Sequence, residues 1–220
     1  MANPNPILDR LDDGTLVRNV WTGTDAQGRA TACLLAALVP ACGYTRSATA
    51  CPADVMPAWL ARLTPWIDDA GTAAAWPGHI REYARLVPHF GRLSAEPDTD
   101  RRAMIGSLRA IAEAATHADG AVSAVLALLD RELAGDRPTA AEYRTAADAA
   151  TANAADAYAA YAAYAGAAAN ANGAANAADG YANANAADGY ADAAANAASA
   201  DRVITGILAA IADAMGVGRG

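Results

Sequence analysis

The sequence predicts an all-α, mainly helical fold, and three observations carry that expectation. Alanine supplies 34 of the 61 residues from Ala140 to Ala200, and no residue has a higher helix propensity. Apolar residues recur at helical spacing through residues 56–133 and again through 203–215. Strand-forming residues gather in one short run near the start, Thr15–Trp21, which allows a small N-terminal β-hairpin and no larger sheet.

Taken in order, TLVRNVW (Thr15–Trp21) runs into TGTDAQGR, where Gly23, Asp25 and Gly28 supply turn chemistry. ATACLLAALV (Ala30–Val39) reads as a buried helix stopped by Pro40, although so short an apolar run does not by itself exclude a strand, and Ala41–Pro52 reads as a loop of small residues. Met56, Trp59, Leu60, Leu63, Trp66 and Ile67 mark the next helix, started by Pro57 and kinked or divided by Pro65. Three further stripes follow: Ile80, Tyr83, Ala84 and Val87; Met104, Leu108, Ile111 and Ala115; Val122, Val125, Leu129 and Leu133. A loop around Ser94–Asp100 and the turn Gly135–Pro138 separate them.

The sharpest boundary follows Pro138. All ten prolines lie at or before it, and from Thr139 to Arg202 there is no Leu, Ile, Val, Met, Phe or Trp. Three units are therefore expected: a helical domain with a Trp-rich core over 1–138, an Ala/Asn/Tyr-rich acidic helical region over 139–202, and an amphipathic C-terminal helix over 203–220 that folds back onto the core. Its stripe is Val203, Ile204, Ile207, Leu208, Ile211 and Met215. The middle region is one long helix or a helical hairpin turning at Asn170–Gly173. Gly166, Gly173 and Gly180, spaced by sevens, would let a neighbouring helix approach along one face. ANAADGYA occurs at 175–182 and again at 184–191. That nine-residue period is 2.5 helical turns and places equivalent side chains on alternating faces.

Charge and composition narrow the function classes. The net charge is −8, all sixteen basic residues are Arg, and Thr139–Asp201 holds seven acidic residues against Arg144 alone. Such a chain is no general binder of nucleic acid, because phosphate neutralisation needs a basic surface. No window resembles a membrane span or a leader, so a cytoplasmic protein is expected. Cys33, Cys42 and Cys51 are too widely spaced for a metal knuckle, and an odd number of thiols fits a reducing compartment. A zinc site completed by His79 or His89 lacks any ligand pattern, and Cys33 inside CLLAAL reads as a small buried hydrophobe.

The most site-like cluster is PWIDDAGT (Pro65–Thr72), where Asp68 and Asp69 sit near Trp66 and Trp76. Paired carboxylates can hold a divalent ion or move protons, and Asp-Asp-Ala-Gly is equally the chemistry of a helix end. Asp12, Asp13 and Gly14 pose the same alternatives, and His79 with Arg81 and Glu82 could form a polar site. No phosphate loop, dinucleotide fingerprint or nucleophile elbow occurs. No catalytic, cofactor or metal residue is therefore assigned.

CLLAAL (Cys33–Leu38), CPADVMPAWLARLTPWIDDAGT (Cys51–Thr72) and Trp76 resemble an uncharacterised group of proteins from GC-rich bacteria and their phages, whose later portions turn into alanine-rich helices. The resemblance covers about residues 21–86. It implies no catalytic residues and favours accessory roles, including interference with host defence.

The expected function is that of a non-enzymatic protein–protein interaction protein, a phage or mobile-element accessory able to self-associate. Contact anchors are expected at Tyr158, Tyr161, Tyr164, Tyr181 and Tyr190, because aromatics carry much of interface energy, with Asp148, Asp156, Asp179, Asp188 and Asp192 beside them. One alternative is a phage inhibitor that presents these carboxylates to a host nucleic-acid-binding defence protein. The other is a metal-assisted hydrolase using Asp68 and Asp69.

Overall fold

The computed structural model describes residues 5–113, 120–152 and 197–218. Helix α1 (Pro6–Asp13) starts where the Asn5 side chain accepts the amide of Ile7 and Pro6 fills the first turn. It ends at Gly14, whose φ of 77° closes the helix in a left-handed cap.

The hairpin exists, later in the chain than its strand-forming run. Strands β1 (Thr22–Thr24) and β2 (Ala30–Ala32) pair antiparallel, Thr22 opposite Ala32 and Thr24 opposite Ala30. Of the Thr15–Trp21 run, Leu16 makes only an isolated bridge to Ala32. The turn decides the register: Asp25 accepts the amides of Gln27 and Arg29, and Gly28 takes φ 79°. The residues flanking that turn must pair, whatever their propensity.

Residues 30–32 are thus strand, and the expected helix is shortened to α2 (Leu34–Leu38) with Cys33 as its cap. Pro40 starts a second helix, α3 (Pro40–Thr45), and a 3₁₀ turn follows at Ala48–Ala50, so the expected loop is largely helical. Gly43 permits α3 to lie against β1, since a Cβ there would meet Thr22 at 2.8 Å and Ala36 at 2.9 Å.

Helix α4 (Ala58–Asp69) passes through Pro65 undivided. Trp59, Leu60 and Leu63 before the proline and Ile67 after it are all buried. Their burial, at roughly 1.5–3 kcal/mol per large side chain, offsets a lost backbone bond and ring clash of about 3 kcal/mol. The hydroxyl of Thr64 donates to Leu60 O at 2.8 Å and lies 2.8 Å from the Tyr83 hydroxyl, fastening α4 to α5 (Trp76–Leu86). Tyr83 in turn meets Phe90 edge to face at 5.3 Å.

A 3₁₀ turn at Val87–His89 leads to α6 (Phe90–Ala95), and only Glu96 separates it from α7 (Pro97–Glu113), where a longer loop was expected. Helices α8 (Gly120–Leu133), α9 (Ala140–Ala152) and α10 (Ala197–Met215) complete the described fold. Helix α10 lies along α7, which packs on α8, which packs on α9; α1, α2, α4 and α5 form the other side of the core. All six stripe residues of α10 are buried, and α10 runs without a break across residues 202 and 203.

The α7–α10 contact is a reciprocal glycine–alanine crossing. A Cβ on Gly106 would stand 2.9 Å from Ala210 Cβ, and one on Gly206 would stand 2.8 Å from Ala110 Cβ. Arg92 donates to Met215 O and Arg85 to Gly218 O, placing two cations at the negative end of α10. The cysteines are unpaired, and no described helix is long and apolar enough to cross a membrane. Whether 139–202 makes one helix or a hairpin falls on residues 153–196, outside the described residues.

Candidate functional site

The end of α4 gathers the residues that the sequence marked as site-like. Asp68 is fully buried, and its two oxygens have separate tasks: Oδ2 accepts the amide of Leu34 at 2.8 Å, and Oδ1 accepts Trp76 Nε1 at 3.0 Å. It therefore ties the first turn of α2 to the start of α5. Burial pushes its carboxyl up to about 6, against the pull of these two hydrogen bonds. Asp69 faces another way, accepting the amide of Asn19 at 2.6 Å. The two carboxylates do not converge, and no group of three His, Cys, Asp or Glu among the described residues could hold a metal ion.

Arg18 completes this junction. Its Nε donates to Asp68 O at 3.1 Å, and its Nη2 donates to Asp69 O, Ala70 O and Gly71 O at 2.5, 2.9 and 3.1 Å. These are carbonyls that the end of a helix leaves without partners. Asn19 takes φ 62° to bring its own amide to Asp69. The DDAG run is the terminus of a helix, closed by an arginine fifty residues away.

Asp201, from the first turns of α10, reaches the same place. It accepts Thr72 N at 3.0 Å and the Thr72 hydroxyl at 2.8 Å, passing over Gly71, where any Cβ would collide with the carboxylate and where φ is 79°. His79 stands beside it, with Nδ1 3.8 Å from Asp201 Oδ1 and Nε2 3.5 Å from the Thr205 hydroxyl. Burial lowers the imidazole pKa, partly countered by Asp201, and favours the neutral ring. Imidazole, carboxylate and hydroxyl are thus neighbours, but the Thr205 hydroxyl donates to Asp201 O at 2.8 Å within its own helix. That is a helix-internal bond, not an activated nucleophile.

His79 and Asp201 line one part of an open groove of 940 Å³ that runs over the Gly106–Ala210 and Gly206–Ala110 crossing. The cluster of His79 with Arg81 and Glu82 does not form: Arg81 pairs with Asp12 at 2.8 Å, and Glu82 pairs with Arg85. Asp13 accepts the amide and hydroxyl of Thr15, which with Gly14 makes Asp12–Gly14 an ordinary helix end. Cys33 lies buried, its Sγ accepting the Ala36 amide, and burial raises its thiol pKa.

Of the expected contact residues, Asp148 is exposed on α9. Tyr158, Tyr161, Tyr164, Tyr181, Tyr190, Asp156, Asp179, Asp188 and Asp192 lie outside the described residues. Several polar residues important to the fold carry no signal in the sequence. Arg18 and Asp201 carry no local signal, because their partners are about 50 and 130 residues away. Asp100 accepts Trp59 Nε1 at 2.7 Å from within the core, and Glu132 is buried between Arg101 and the hydroxyl of Tyr143. The helix crossing did leave a signal: Gly106 and Ala110, like Gly206 and Ala210, are four residues apart on one helical face.

No family model matches the chain, and neither the curated proteins nor the solved structures include a significant match.

Proposed function

We propose that this chain is a non-enzymatic protein–protein interaction protein, a phage or mobile-element accessory that works in the cytoplasm and binds a protein partner. The observation that supports this reading is the use made of the most reactive-looking residues. Asp68, Asp69 and Asp201 hold α2, the 18–19 loop and the α4–α5 turn together, each through its own hydrogen bonds. Asp68 and Asp201 engage both carboxylate oxygens in this way, and Asp69 turns away from Asp68, so the pair offers no shared site for acid–base work or a metal ion.

Partner contact is assigned to the acidic alanine-rich region, with Tyr158, Tyr161, Tyr164, Tyr181 and Tyr190 as anchors. The test is affinity capture from the native host with the full chain and with a Tyr158→Ala/Tyr161→Ala/Tyr164→Ala variant. Loss of a specific partner in the variant supports the reading. Equal capture by both chains, or no specific capture by either, overturns it. Self-association through the same faces would appear as a concentration-dependent mass in sedimentation.

A second reading has the acidic region inhibiting a host nucleic-acid-binding protein. The exposure of Asp148 and the charge of −6 over 139–201 favour it. It requires that Asp148→Asn/Asp156→Asn/Asp179→Asn/Asp188→Asn weaken capture and that the loss follow salt concentration; capture insensitive to both removes it.

A further inference from the structure

A second cavity, of 260 Å³, lies between the first turns of α7 and the turn that follows α8, and three arginines line it: Arg101, Arg102 and Arg137. The acidic residues there are Asp98 and Glu132. Glu132 is buried and engaged by Arg101 and by the Tyr143 hydroxyl. Among the described residues Asp98 is the only other counter-charge in the lining, and its contact with Arg137 is loose: 3.6 Å between groups that are 84% and 66% exposed. Such a contact contributes little, because water screens it and both side chains lose freedom in making it.

Arg102 is poised differently from its neighbours. Among the described residues it donates one hydrogen bond, 3.3 Å to the Thr99 hydroxyl, whose own proton goes to Glu96, and it senses the Glu96 charge through space. Arg102 is exposed and lines both this cavity and the larger groove beside it. Among the described residues the lining therefore carries one positive charge in excess on a chain of net charge −8, and Asp98 reaches Arg137 only loosely.

We propose that this cavity is a binding site for a phosphate group, held by Arg102 and Arg137, with Arg101 fixed against Glu132 as part of the wall. A phosphate has enough oxygens to accept from two guanidinium forks at once. A carboxylate tethered 3.6 Å from one fork does not. On binding, the phosphate takes Arg137 from Asp98, which turns toward solvent.

The probe is inorganic phosphate, titrated calorimetrically against the full chain at low ionic strength. The variants are Arg102→Gln, Arg137→Gln and Asp98→Asn, each checked for its helical circular dichroism. The expected result is saturable binding, weakened roughly tenfold or more by either arginine change and tightened several-fold by Asp98→Asn, because the internal competitor has gone. The gain in the last variant is something that a purely structural role for these residues would not produce. A parallel titration with a phosphoserine peptide separates the two sources: tighter binding than inorganic phosphate assigns the group to a protein ligand, and weaker binding assigns it to a free anion. No saturable binding of either probe, or binding that both arginine variants retain, overturns the proposal.

Discussion

Gly106 on α7 and Ala210 on α10 meet so closely that a Cβ on residue 106 would stand 2.9 Å from the alanine methyl. Gly206 and Ala110 repeat the contact in reverse, so the antiparallel helices cross at their least bulky points. Gly106→Ala and Gly206→Ala each force the backbones apart, because the opposing atom is a Cβ with no rotamer to change. Each is expected to destabilise by about 1–3 kcal/mol, outweighing the usual gain of about 1 kcal/mol from replacing a helical glycine. Urea denaturation measures this, and a more stable variant would contradict the close crossing.

Asp68 makes stability depend on pH in an unusual direction. Its carboxyl is raised to about 6 in the fold from an ordinary value of 3.8. The folded chain therefore holds the proton more tightly, and the associated stability is fully present below 3.8 and lost as pH rises through 6. The stability of the wild type relative to Asp68→Asn should grow as pH falls from 7 to below 4, by up to roughly 3 kcal/mol. Denaturation curves across that range test it; a constant difference would rule it out.

Arg18 closes the end of α4 through four carbonyls. Arg18→Ala leaves these acceptors to water or unpaired, and the expected cost is about 1–3 kcal/mol. Hydrogen exchange should quicken first at Asn19, whose amide loses its hold on Asp69, and at Leu34, bound to the adjoining Asp68. Unchanged protection at both would show that Arg18 is incidental.

Glu132 is buried with Arg101 on one oxygen and Tyr143 on the other. Tyr143→Phe removes one hydrogen bond to a charged group, and a loss of about 1.5–3 kcal/mol follows. Arg101→Ala removes the guanidinium that engages this buried carboxylate and should cost more, about 3–5 kcal/mol. A thermal melt of the two variants orders them, and equal melting temperatures would contradict a buried ion pair.

Periodicity located the helices well because a buried stripe needs the same side chains wherever its partner lies. Ile80, Tyr83 and Ala84, and the six stripe residues between Val203 and Met215, are buried as their spacing implies. It failed where local rules competed. Pro65 reads as a break and sits inside a helix. Thr15–Trp21 reads as a strand and yields to a turn centred on Asp25–Gly28. PWIDDAGT was visible as a polar cluster, but its meaning lay in residues that no window could contain.

By itself the sequence determined the helical class, the hairpin turn, the apolar stripes and the concentration of negative charge after Thr139, since each depends on propensity or on spacing along the chain. The tertiary structure alone decided that Asp68 points inward to Leu34 and Trp76, that Arg18 closes α4, that Asp201 ties α10 to Thr72, and that Arg102 and Arg137 share a cavity. These are contacts between groups brought together by packing. A carboxylate at a helix end is the same letters in the sequence whether it faces water, a metal ion or a distant amide, and only the neighbours supplied by the fold distinguish them.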